Sequence, residues 1–478
     1  MCEGAVARPG RARAILDDVM NTTRMTDISI TLSPSPNRGV ELLVLLYLHV
    51  AACCVSLFYV VYYYRGYQLL NYDSAMLYPA LLNAAPLAVL AFIFTLCPFS
   101  FGYFLGFGFY TLVLGYLFLS RWSAFDYDHT QGGISGFVSI LAFLAPALFV
   151  TKPVKQWIAL SPAVLCHLLS LILFAAVLVI AAGASYNFRI VGLSEIYALR
   201  GQVDFPRPLG YAIGIFINAL LPFAFACYYM LGKRWLAGTT LVLLLLFYPL
   251  TLTKLTLFAP FWLMFLALLG WLFEIRIAAV SSLFLPVAVG VLMLPPVASG
   301  ALSYDHFIAY FGLVNFRLIA VPSIALDLYS DFFAKHSLTY FCQIGMLKSF
   351  VQCPYNEYLS IVMSKNYPLG FVNASLFATE GIASVGPKLA PLSAFACGLV
   401  IAFANRLSSG LPPKFILLSG GLLTQIFMNI PLTTSLLSYG AAPLFLLWYV
   451  TPRGMFRMEH GSAISTDVPK NESLNSAG

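Results

Sequence analysis

Charge is what this sequence has least of. Asp, Glu, Lys and Arg make up 9% of its 478 residues, against about 25% in soluble domains. A chain so poor in charge cannot cover a water-facing surface, which excludes a soluble enzyme or binding module. No block of five or six basic residues occurs, and the net charge of +7 is small, so nothing points to a nucleic-acid partner. The nine cysteines form no Cys-x-x-Cys and no Cys/His set at zinc spacing. Cys53, Cys54, Cys97, Cys166, Cys227 and Cys397 lie inside apolar runs, where a thiol behaves as a small hydrophobe. Neither a metal nor a cofactor is expected. No internal repeat is visible.

What the chain has instead is apolar length. Hydrophobic residues are 60% of it, and the mean hydropathy is +0.86. The apolar runs are unbroken over about 18 residues or more, enough for one helix to cross a bilayer. Strands of a membrane barrel would alternate apolar and polar residues instead. The expected fold is therefore all-α, a polytopic membrane helix bundle of about twelve transmembrane helices. The expected spans are 41–62, 78–97, 101–120, 133–150, 162–184, 209–231, 235–252, 256–273, 278–298, 388–405, 413–429 and 433–450. The run 235–273 has Lys254 as its only charge. It is too long for one crossing and reads as a hairpin with Lys254 at the tip. The first span follows a polar tail and has no small-residue cleavage site, so it does not read as a cleaved signal.

Basic residues in short loops set the orientation. With the N-terminus cytoplasmic, the inner short loops hold Lys152, Lys155, Lys233, Arg234, Arg276, Arg406 and Lys414, and the outer ones only Arg65, Arg121 and Lys254. Both termini are thus expected in the cytoplasm. The division is then a tail at 1–40, nine helices in 41–298, a large extracytoplasmic loop at 299–387, three helices in 388–451 and a tail at 452–478. The polar composition of the tails reads as disorder. Both long loops, 185–208 and 299–387, fall on the outer side.

The first long loop carries Arg189, Arg200 and Arg207 against Glu195 and Asp204. Arginine offers a planar fork of donors that suits phosphate and pyrophosphate. A solvated loop with internal ion pairs is the alternative. The second long loop is aromatic and apolar, yet punctuated by Asp305, His306, Arg317, Asp327, Asp331, Lys335 and His336. Its helical spacing over 317–333 predicts amphipathic helices along the membrane face. Arg317, flanked by apolar residues, wants a partner, which an anionic ligand or Asp331 would supply. His336 is the acid/base candidate, since histidine titrates near neutrality.

Cys342 and Cys353 share this loop and are disulfide candidates on an oxidising face. Asn373 precedes a helix start, Gly386-Pro387 breaks the chain, and Glu380 between them wants a hydrogen-bonded or cationic partner. For Glu380 a helix-end role and a substrate-contacting role both stand. The turn Asp126-Tyr127-Asp128-His129 has the look of a metal-binding Asp-x-Asp, but a polar turn between helices explains it equally.

Together these features resemble the Wzy-type O-antigen and oligosaccharide repeat-unit polymerases. The matching features are many spans, a large late outer loop, Asn315-Phe316-Arg317 with Asp331-Phe332-Phe333, the approach from Asn373 to Gly386, and the turn Thr251-Leu252-Thr253-Lys254. The resemblance implies an enzyme of the bacterial inner membrane. It would transfer a growing glycan from undecaprenyl pyrophosphate to an incoming lipid-linked repeat unit on the periplasmic face, without metal. Its implied partners are the lipid-linked oligosaccharide, membrane lipids, a flippase and a chain-length regulator. Carried over, Arg317 and Lys254 would hold the pyrophosphate, while His336, Asp331 or Glu380 would orient or deprotonate the acceptor hydroxyl. The chain departs from the Arg-x10-Gly pattern of some polymerases, since Arg200 follows Arg189 and Leu328 follows Arg317 at that spacing. An O-antigen ligase shares the large late loop. A polyprenyl-phosphate-sugar glycosyltransferase would place acids in the first outer loop, which here holds Asp73 alone. A lipid-linked oligosaccharide flippase or other transporter is the non-enzyme alternative, and it needs a charged site within the spans.

Overall fold

The computed structural model describes residues 38–192, 199, 204–344, 347, 350–367, 369 and 374–456. Arg200 and Asn373, and nearly all of both tails, lie outside the described residues. Within them the chain is helical, with an isolated antiparallel bridge between Leu70 and Ser123. A helix satisfies its own backbone hydrogen bonds, which is what an apolar surround demands.

Eleven helices are long and apolar enough to cross a membrane. They are α1 (Arg38–Tyr63), α2 (Ser74–Leu96), α3 (Phe101–Trp122), α4 (His129–Phe149), α5 (Pro162–Ala184), α6 (Arg207–Met230), α7 (Arg234–Thr251), α8 (Lys254–Leu272), α9 (Ile275–Ala298), α10 (Tyr304–Lys335) and α12 (Phe377–Ser408). Shorter helices are α11 (Leu359–Asn366), α13 (Pro413–Asn429), α14 (Leu432–Leu437) and α15 (Ala441–Val450). The protein is thus an all-α, multi-pass membrane bundle. At its centre stands α3, every residue from Phe101 to Leu119 being buried. Gly115 of α3 has no room for a side chain, because Ser323 of α10 occupies the place a Cβ would take.

The connections divide the bundle into two ends. At one, Leu70 bridges Ser123, the Asn71 amide donates to the Trp122 carbonyl at 2.7 Å, and the Trp122 indole donates to the Asp73 carbonyl at 2.7 Å. The α1–α2 and α3–α4 turns therefore share this end, here called the Tyr63 end. At the other, the Val154 amide donates to the Arg406 carbonyl and the Leu160 amide to the Val450 carbonyl. Arg38, at the opposite terminus of α1, belongs there, so both described ends of the chain emerge on the same side. Lys152, Lys155, Arg406 and Arg453 gather at this Arg38 end.

Length and composition alone would let α10 cross; its contacts do otherwise. Near its start, Tyr304, Phe307 and Phe311 pack on Tyr63, with ring centroids 6.0, 5.3 and 6.2 Å away. In its middle, Asn315 donates to Ser56 and to the Val287 carbonyl, and Ser323 donates to the Leu112 carbonyl. Those levels lie about 10–15 Å below the Tyr63 end at 1.5 Å per helical residue. Near its far end, Asp327 meets Ser123 and Tyr127, back at the Tyr63 end. Both ends of α10 thus return to one end of the bundle. The sequence predicts amphipathic helices here, over 317–333; the structure has one continuous 32-residue helix, π-helical from Gly312 to Ala320.

Helix α12 is also interrupted. Phe377 at its start packs on Phe109 and Phe143, each ring centroid pair 5.0 or 5.8 Å apart, about 20 Å down from the Tyr63 end by residue count. The π-helical turn Phe377–Ala383 then rises, and the chain reverses at Gly386. Gly386 has φ 76° and ψ 169°, a backbone region essentially confined to glycine. From Pro387, whose carbonyl accepts from Ser135 at 2.6 Å, the helix descends beside α4. The expected span 433–450 does not form as one helix. It breaks into α14 and α15 at Gly440, where φ is 82°, because a left-handed residue cannot continue a right-handed helix.

Candidate functional site

Asp327 and Asp331 lie one turn apart on α10 and so share a face. Asp327 is buried and accepts from the Ser123 hydroxyl at 2.6 Å and the Tyr127 phenol at 2.5 Å. Tyr127's proton being committed to Asp327, Tyr116 is the donor across the 3.1 Å gap between the two phenols. Burial first, then the neighbouring Tyr116 and Asp327, push the Tyr127 phenol far above its ordinary range, so it remains a donor. His129 lies over Tyr127, ring centroids 4.1 Å apart, with Nε2 3.0 Å from the Phe125 carbonyl.

Asp331 is equally occupied. One oxygen takes the Lys335 ammonium at 2.6 Å and the other the Tyr367 phenol at 2.7 Å. Burial, followed by the bond to Asp331, raises the Tyr367 phenol. Arg317 therefore does not pair with Asp331, although that pairing was one of the two expected from sequence. Arg317 is itself exposed, between the buried Phe316 and the half-buried Leu318 of the same helix. His336 follows directly. Its ring stacks on Phe332 at 4.0 Å and 6°, and Nδ1 sits 2.8 Å from the Phe332 carbonyl. Nε2 makes no hydrogen bond among the described residues, which leaves it able to accept a proton from a bound hydroxyl.

Cys342 and Cys353 are joined by a disulfide. The Thr339 amide donates to the Ala383 carbonyl and Tyr355 to the Ser337 carbonyl, so this segment is tied to the top of α12.

The remaining predicted residues fall elsewhere. Arg189 and Lys254 come to one corner of the Tyr63 end. There the Arg189 amide donates to the Pro249 carbonyl, and Asn187 donates to the Pro249 and Leu250 carbonyls. Lys254 opens α8 behind a Thr253 cap, and Arg207 opens α6. Asp128 caps α4 by accepting from the Gln131 amide at 2.9 Å, and no group of three or more His, Cys, Asp or Glu able to hold a metal exists among the described residues.

Glu380 lies on the rising turn of α12, faced by Tyr329 of α10. It is buried, with Oε1 facing the Thr433 amide at 3.2 Å and its hydroxyl at 3.4 Å, and Oε2 facing the Thr379 hydroxyl at 2.7 Å. Of the two roles open to it, joining the start of α14 to α12 is the one its contacts display.

Sequence reasoning missed Ser123, Tyr127, Asp327 and Tyr367 as a set. Asp327 and Asp331 four residues apart on an apolar helix were the available signal. The residues they meet, 200 positions earlier and 36 later, have no mark of their own. Compared with family models, with curated proteins and with solved structures, the chain matches none.

Proposed function

We propose that this protein polymerises lipid-linked oligosaccharide repeat units, acting as a membrane glycosyltransferase at the Tyr63 end. The observation that carries this reading is the placement of α10. Both ends of one long helix return to a single end of the bundle, with His336 exposed at its terminus and Arg317 exposed on its dipping middle. A lipid-anchored substrate presents its pyrophosphate and first sugars at this level.

In this reading Nε2 of His336 takes the proton of the acceptor sugar hydroxyl. The hydroxyl oxygen attacks the anomeric carbon of the donor glycan and forms the new glycosidic bond. The bond from that carbon to pyrophosphate breaks, and the lipid pyrophosphate leaves with the electron pair. Arg317 stabilises the developing negative charge, which fixed cations do most effectively out of water. Asp331 acts through Lys335 and Tyr367, holding the end of α10 and hence His336 in place. Arg189 and Lys254 form a second cationic corner suited to another phosphate-bearing group.

The test is deletion of the gene in its host, followed by gel electrophoresis of the surface polysaccharide. Loss of the polymer ladder with a single capped repeat unit remaining supports polymerisation. Loss of that unit as well points to ligation or lipid flipping, and an unchanged profile removes the reading. A transport reading has one observation in its favour: α12 and the α14–α15 segment are both interrupted at depth and meet at a buried carboxylate, a construction used by secondary transporters.

A further inference from the structure

The hydrogen bonds around Glu380 do not balance if the carboxyl is ionised. Thr379 has one hydroxyl proton, yet its Oγ1 lies 2.9 Å from the Ser375 carbonyl and 2.7 Å from Glu380 Oε2. Both neighbours are acceptors when Glu380 is a carboxylate, and one hydroxyl proton then serves them only as a shared, weaker three-centre bond. A proton on Oε2 resolves the conflict: Glu380 donates to Thr379, and Thr379 donates to Ser375. On Oε1 the Thr433 amide remains a proper donor in either state.

The surroundings agree. Glu380 makes none of the ion pairs formed among the described residues. The titratable groups facing it are Tyr329 of α10 and Cys397 of α12, neither of which brings positive charge. The other polar groups against it are neutral, namely the backbone amides of Thr433, Leu432 and Glu380 itself at the carboxyl, and hydroxyls such as Ser393, which donates to the Glu380 carbonyl at 2.7 Å. Two more buried hydroxyls, that of Ser375 just before α12 and that of Ser435 in α14, have no partner among the described residues. An isolated charge in such a place is costly, and the usual outcome is that the group takes up a proton.

We infer that Glu380 is a proton-binding site, carrying an exchangeable proton on Oε2 shared with Thr379, while Oε1 of the same carboxyl joins the interrupted helix α12 to the start of α14. Proton release leaves a charge within the bundle and a single Thr379 proton for two acceptors, so occupancy of the site is linked to how these two segments pack. The inference is independent of the glycan reading and stands if that reading fails.

The experiment uses the full chain in lipid nanodiscs near neutral pH. Infrared difference spectra between wild type and Glu380→Gln are expected to contain a protonated-carboxyl stretch that shifts in heavy water and is lost in the variant. Because Gln reproduces the size of a neutral Glu, the variant is expected to insert and fold. Should it fail to do so, the wild type alone is treated with dicyclohexylcarbodiimide, which attacks protonated carboxyls in apolar settings, and mapped by mass spectrometry. Labelling at Glu380 that declines as pH rises supports the site. Ionised-carboxylate bands alone, or labelling suppressed by sodium at fixed pH, overturn it, the latter in favour of a sodium site.

Discussion

The phenol of Tyr127, in the turn between α3 and α4, donates to the carboxylate of Asp327 on α10, across 200 residues of sequence. With Ser123 donating to the other oxygen, this bond fastens the late half of the chain to the early half at one end of the bundle. A hydrogen bond to a charged group contributes about 1.5–3 kcal/mol. Tyr127→Phe should therefore destabilise by about that amount and lower the melting temperature of the purified protein. Asp327→Asn should cost a similar amount, and the double variant less than the sum, since both remove one interaction. Additive losses would mean that the bond does not form.

Arg317→Ala should abolish polymer while leaving protein level and membrane insertion unchanged. Arg200→Ala should have the smaller effect. Normal polymer from the Arg317 variant, read on a polysaccharide gel, would place the leaving-group site elsewhere.

The Tyr367 phenol titrates above its ordinary value of 10.0 because it is buried and bonded to Asp331. A group whose titration is raised on folding adds stability that is complete below its unfolded value and lost as pH rises through the folded one. Stability should accordingly fall above about pH 10, and Tyr367→Phe should reduce that fall. Melting curves between neutral and strongly alkaline pH check the sign. An identical alkaline slope in the variant would remove Tyr367 from the account.

Gly386→Ala puts a Cβ at a backbone geometry that costs about 1–3 kcal/mol for other residues. Its new methyl would meet Leu338 only at ordinary contact distance, 3.5 Å, so the cost is that of the backbone. The variant should melt lower or elute as a broader species in size-exclusion chromatography, whereas Gly39→Ala, which meets nothing within 4 Å, should not.

The first nine helices were legible because each is a continuous apolar run, and burial in lipid selects for nothing subtler. The hairpin at Lys254 was legible for the same reason, a lone charge being enough to mark a turn. Helix α10 was not. Its charges at Asp305, Arg317, Asp327 and Asp331 read as interruptions, although hydroxyls and a lysine satisfy Asp327 and Asp331 where they lie. The single span expected at 433–450 failed at Gly440, since one positive φ ends a helix without altering hydropathy. Gly386-Pro387 was recognised as a break because proline accompanies the glycine there. Of the candidate site, the carriers of charge were visible in sequence, while their partners were not.

The docking of α10 bears on how the chain is inserted. A translocation machine reading hydropathy meets a 32-residue apolar segment and has reason to thread it through. Doing so would invert everything after residue 336, sending the disulfide-bearing segment to one compartment and the C-terminal helices to the wrong polarity. What opposes that outcome is the stack of rings on Tyr63 and the acid–hydroxyl clamp at Asp327, both made with helices already synthesised. The early helices thus supply the contacts that keep both ends of α10, and with them the start of the second half of the chain, at one end of the bundle.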